Sequence, residues 1–165
     1  MTDIPKTKYG VAIALFKGNE VYMSQRTWNQ LHYSSDWQIV YGYVSGDYER
    51  YADAAVRVTK EETGINLVIS RLCYIKSMMV GNEFYYTYFV HLKDDEVPAP
   101  PTTDQLVTRS GYTSFPLERA VNMKLVPCLE KLLRATWKAL AKSTLGKSPP
   151  LVEERNAWSC MADYD

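Results

Sequence analysis

Apolar positions along the chain change their period several times, and each change marks an element. Tyr9 to Phe16 is an unbroken apolar run, and Glu20 to Gln25 alternates in part. Lys17-Gly18-Asn19 between them are turn residues, so the two runs predict a β-hairpin. Trp37 to Val44 predicts a further strand. From Ala52 to Thr63 the spacing becomes helical, through Ala52, Ala55, Val56 and Thr59, with Gly64 placed as the stop. Leu67 to Met79 and Phe84 to Leu92 are long β-rich segments, and Gly81-Asn82 joins them into a second hairpin.

Asp94 to Thr103 is acidic and carries Pro98, Pro100 and Pro101, which predicts a loop. Pro116 to Val121 predicts a short helix. Pro127 opens a longer one, with Leu129, Leu132, Leu133, Thr136 and Leu140 along one face. After Lys142 the chain turns polar, so residues 1–142 form one domain and residues 143–165 a flexible C-terminal tail. Hairpin, strand, helix, hairpin and helix in that order predict an α/β fold, a mixed sheet covered by helices on both faces.

Composition changes this picture little. The 165 residues are 46% hydrophobic and 23% charged, and 19 Lys and Arg balance 19 Asp and Glu. That balance argues against an extended nucleic-acid surface or recruitment to an anionic membrane, so a polyanionic ligand has to be held by a few local groups. No apolar run is long enough to span a bilayer, and Met1 to Lys8 lacks the apolar core of a signal peptide. The 13 tyrosines predict half-buried sheet. Cys73, Cys128 and Cys160 are odd in number, and with His32 and His91 they have no metal-ligand spacing, which predicts reduced thiols and a cytoplasmic location. His32, in a predicted loop, reads as a surface residue.

The chemistry concentrates between Gly42 and Ile65. Glu61 and Glu62 fall in the last helical turn before Gly64, where the helix dipole is negative and each exposed carboxylate costs about 0.3–1 kcal/mol. Such a pair calls for a cation. Positions 58, 61 and 62 are three and four apart, on one helix face, and carboxylates so placed gather a hard divalent ion. Arg57 is four residues from Glu61 and able to pair with it.

Glu49, Arg57, Glu61, Glu62, Gly64 and Ile65 match, in spacing, the Nudix box, and the chain resembles the Nudix hydrolase superfamily over roughly residues 8–140. The resemblance implies a Nudix-like α/β/α sandwich. It implies an enzyme that uses Mg2+ or Mn2+ to cleave a nucleoside diphosphate linked to another moiety. Glu61, Glu62, Glu49 and Arg57 would be catalytic, with Arg57 locking the loop through Glu49. Glu61, Glu62, a carbonyl near Gly42 and a loop acid, Asp104 or then Glu96, would hold the metal. Arg26, Trp37, Tyr43 and Tyr85 would meet a nucleotide-type small molecule, and a homodimer is the family expectation.

The box departs from the pattern in three places. Val58 and Thr59 stand where the family has Glu and an aliphatic residue, and the first Gly position falls on either Gly42 or Tyr43. Val58 supplies no oxygen. The alternative function is therefore a Nudix-like module that binds or senses a nucleotide without cleaving it. A third reading is a protein-interaction domain whose contact segment is the tail from Gly146 to Asp165.

Overall fold

The computed structural model describes residues 6–27, 35–46, 48–144 and 157–159; His32 and Cys160 lie outside them. Strands β1 (Lys8–Lys17) and β2 (Glu20–Gln25) form the first expected hairpin, in the register Phe16↔Val21 and Lys17↔Glu20. The expected strand from Trp37 to Val44 is broken at Ile39 into β3 (Trp37–Gln38), paired with β2, and β4 (Val40–Tyr43), paired with β1. Helix α1 spans Tyr51–Thr63 and ends at Gly64, whose φ of 75° is left-handed and whose N–H donates to the Lys60 carbonyl. A left-handed stop costs least when the residue lacks a Cβ.

The second hairpin is β5 (Cys73–Val80) and β6 (Glu83–His91); residues 69–71 ahead of β5 turn in a 3-10 helix rather than extending the strand. A short helix α2 (Thr103–Leu106), capped by Thr102 and Gln105, follows the proline-rich loop and was not expected. Then come β7 (Thr113–Pro116), α3 (Leu117–Ala120) and α4 (Leu129–Thr144). The span expected as a loose tail contributes one strand, β8 (Ala157–Ser159), parallel to β5.

β1 is central. It pairs in parallel with β6 along nearly its whole length and antiparallel with β2 and β4 on its other edge, which makes the sheet mixed. Because both faces of β1 are covered from Val11 to Phe16, that stretch is apolar throughout rather than alternating. Val11, Ile13 and Leu15 face α1 with Val40, Ala54, Ala55 and Val58, all buried. Ala12, Ala14 and Phe16 face the opposite way, against Leu129, Leu132 and Leu133 of α4. The architecture is the expected α/β sandwich. Among the described residues no helix is long and apolar enough to cross a membrane.

Much of the tyrosine content lies in the sheet, as expected of half-buried strands. Tyr86 of β6 meets Tyr51 at 3.8 Å and Tyr74 at 5.7 Å between ring centroids. Cys73 of β5 is a free thiol.

Candidate ligand-binding site

α1 carries the matched residues on two sides. Arg57 clamps the preceding loop onto the helix: its Nε donates to Glu49 Oε2 and its Nη2 to Glu49 Oε1, both at 2.8 Å. Nη2 also donates to the Tyr43 carbonyl at 2.8 Å, and Nη1 reaches both oxygens of Glu61 at 3.1 Å. The guanidinium holds the Glu49 carboxyl below its usual range, and the Ser45 N–H at 2.8 Å adds to this.

Glu62 turns the other way. Its Oε2 accepts from Arg109 Nε at 2.8 Å, and its backbone carbonyl accepts from Arg109 Nη2 at 2.8 Å. Arg109 Nη1 donates to the Ser110 carbonyl, also at 2.8 Å, and the guanidinium lies over the Tyr112 ring, 4.4 Å from its centroid. Arg109 is only 2% exposed. Sequence reasoning missed it, because an arginine 47 residues from its partner leaves no local spacing signal.

Val58 does not share the solvent-facing side with Glu61. Val58 is 3% exposed in the core, whereas the Glu61 side chain is 59% exposed. A Cβ on Gly42 would stand 2.7 Å from Val58 Cγ2 and 2.8 Å from Cγ1, so the glycine is needed for this close approach. Position 42, not 43, is where a side chain does not fit, and Tyr43 is free to send its ring elsewhere.

The donor set for a divalent ion is correspondingly poor. Glu61 is paired with Arg57, Glu62 with Arg109, and Val58 offers no oxygen. Glu96 is engaged at another place, in a two-pronged pair with Arg71 at 2.6 and 2.8 Å. Asp104 lies in the first turn of α2, whose Gln105 donates to the Glu61 carbonyl at 2.9 Å. Even so, no group of three or more His, Cys, Asp and Glu among the described residues is placed to hold a metal. Hard cations want several oxygen ligands, and these residues do not fit one well.

A cleft of about 280 Å3 opens on the α4 side of the sheet. Ala12, Ile39, Met78, Pro127, Leu129 and Leu132 give it an apolar floor and wall. Two polar groups flank it. At one side Arg26 Nη1 donates to Tyr41 Oη at 2.6 Å and to Gln38 Oε1 at 3.1 Å. At the other, Glu83 accepts from Tyr43 Oη at 2.7 Å and from Tyr85 Oη. Burial raises the Tyr43 phenol to about 12 and raises Tyr85 as well, so both keep their protons at neutral pH. Tyr85 lies across Gly10, whose missing Cβ leaves room for the ring.

Of the residues expected to touch a ligand, Arg26, Tyr43 and Tyr85 line this cleft together. Trp37 is placed differently: it packs edge-on against Phe115 at 5.1 Å and adds to the core. Tyr43 links the two regions, with its carbonyl on Arg57 and its phenol on Glu83.

Comparison with solved structures shows the same fold at low identity. A mutT/nudix family protein from Listeria innocua is 13% identical over 87% of this chain and 100% of its own, with a TM-score of 0.67. The NUDIX domain of Shewanella oneidensis NrtR, complexed with ADP ribose, is 16% identical over 83% of this chain and 90% of its own, with a TM-score of 0.65. The C-terminal domain of mouse MUTYH, solved in complex with human PCNA, is 15% identical over 89% of this chain and 95% of its own, with a TM-score of 0.59. No curated protein matches the sequence. The NUDIX domain profile matches residues 6–135, most of the chain. Fold, box spacing and profile agree, and the chain belongs to the NUDIX domain family.

Proposed function

We propose that this protein binds a nucleoside diphosphate linked to another moiety in the cleft over Ala12, and holds it without cleaving it. The observation behind this reading is the state of the box: Glu61 and Glu62 are each paired with an arginine, and Val58 lies in the core. The cleft has the make-up of a small-molecule site, an apolar floor with a few placed polar groups. A planar base would lie among Ile39, Met78 and Leu132, with Arg26 near its phosphates. The ADP-ribose bound by the NrtR domain supports the ligand class.

Hydrolysis is the second reading. Family membership and the register of Glu49, Arg57, Glu61 and Glu62 favour it. In that reading Glu61 and Glu62, with the Gly42 carbonyl or Asp104, would hold Mg2+ or Mn2+, which would supply an activated water. A homodimer, as the family expectation, and a cytoplasmic location, from the cysteine usage, accompany both readings as proposals.

One experiment separates them. Calorimetric titration with ADP-ribose, ADP and a nucleotide sugar is paired with phosphate-release assays on the same compounds, with and without Mg2+ or Mn2+. Micromolar binding with every ligand recovered intact is expected. Turnover of any of them would transfer the conclusion to hydrolysis, and no binding at all would remove both readings.

A further inference from the structure

We infer that Arg109 is the built-in cation of the box helix, standing where a bound divalent ion would otherwise neutralise Glu62, so that this fold is completed without metal.

Glu61 and Glu62 lie in the last turn of α1, at the negative pole of its dipole, ahead of Thr63 and the Gly64 cap. Adjacent carboxylates there are repelled by the helix end and by each other, so some positive charge has to meet them. Arg57 meets Glu61, but that pair is exposed and is worth only a few tenths of a kcal/mol. Glu62 is the more enclosed of the two, its side chain 30% exposed. A carboxylate so placed needs a close partner, either an ion or a fixed side chain.

Arg109 has the features of a permanent partner rather than a passing surface contact. Three N–H groups are used at 2.8 Å, on the Glu62 carboxylate, on the Glu62 carbonyl and on the Ser110 carbonyl. The contact to the carbonyl matters separately, because it satisfies an acceptor in the helix's final turn, where intrahelical partners run out. Stacking on Tyr112 fixes the plane of the guanidinium. A backbone bridge to Arg26 anchors the segment on the sheet. Mg2+ dehydrates reluctantly, and it would have to displace a guanidinium already seated on the carboxylate.

Val58 is consistent with this exchange. Its methyl groups fill the space in front of Gly42, so the third carboxylate position is apolar while the charge of the remaining two is met by arginines. The inference stands on these contacts and not on the ligand proposed above, so the two can fail separately.

The test reads stability and cation binding rather than activity. Wild-type protein is melted with millimolar Mg2+, with Mn2+ and with EDTA, and Mn2+ binding is followed by water-proton relaxation. The three melting temperatures are expected to agree within about 1 °C, with no bound Mn2+. A dedicated site with a Kd a hundredfold below the added cation would raise Tm by about 5–10 °C, and such a rise would overturn the inference. Arg109→Gln is expected to lower Tm by about 5 °C or more, and Mn2+ to restore part of the loss. An unchanged Tm in that variant would equally overturn it. If Arg109→Gln does not fold, Arg109→Lys keeps the charge without the fork; a lowered Tm is expected, and an unchanged one counts against Arg109.

Discussion

Glu62 and Arg109 lie 47 positions apart and meet at 2.8 Å, tying the end of the box helix to the strand edge beyond α2. Removing one member of a buried pair leaves the other uncompensated, at about 3–5 kcal/mol when both are fully enclosed. Glu62 retains some solvent, so Arg109→Ala should cost about 2–4 kcal/mol in chemical denaturation. Exposed Arg134, paired with Glu130 at 3.1 Å, is the control and should cost less than about 0.5 kcal/mol. Equal losses at the two arginines would show that the Glu62 pair is ordinary surface chemistry.

Gly42 and Val58 form a second test. Gly42→Ala forces a methyl group against Val58, which should destabilise the fold by about 1–3 kcal/mol. Val58→Ala in the same chain should recover part of that loss, so a double-mutant cycle is expected to give a coupling of about 0.5 kcal/mol or more. Additive losses would mean that the backbone shifts to accommodate the methyl.

The Glu96–Arg71 pair sets an acid limit. Arg71 holds the Glu96 carboxyl down to about 2, against an ordinary value of 4.5. A depressed carboxylate contributes stability that is complete above the unfolded value and is lost as pH falls through the folded one. The loss attributable to this pair should therefore fall between about pH 4.5 and 2, and amount to about 1–2 kcal/mol after screening. Glu96→Gln should flatten denaturation midpoints across that window, and an unaltered slope would assign the acid sensitivity to other groups.

Arg26→Ala should weaken nucleotide binding about tenfold or more, the usual scale for a lost charge-assisted hydrogen bond. Glu130→Ala, away from the cleft on α4, should leave affinity unchanged. Titration calorimetry on both variants checks this, and equal affinities would locate the ligand elsewhere.

The sequence made the fold legible where period and turn chemistry are local: the hairpin at Lys17-Gly18-Asn19, the helix ending at Gly64, and the second hairpin at Gly81-Asn82. It also made plain that Glu61 and Glu62 require a positive neighbour. It did not reveal which one. Arg109 becomes a partner only when β2 and the segment after α2 are brought side by side, and that bridge is a tertiary event. Likewise helical spacing alone puts Val58 on a shared face with Glu61. Spacing says which residues are neighbours on a cylinder, and the sheet decides which of them become core. The short helix α2 escaped notice because a single turn fixed by a capping box has too few residues to show a period.

The contact between Val58 and Gly42 also bears on how this chain can change. A carboxylate placed at position 58 would enter the apolar cluster that Val58 now fills. A third carboxylate on this helix would need the loop around Gly42 to alter with it. The contact thus couples the two positions: neither 42 nor 58 can gain bulk unless the other gives it up.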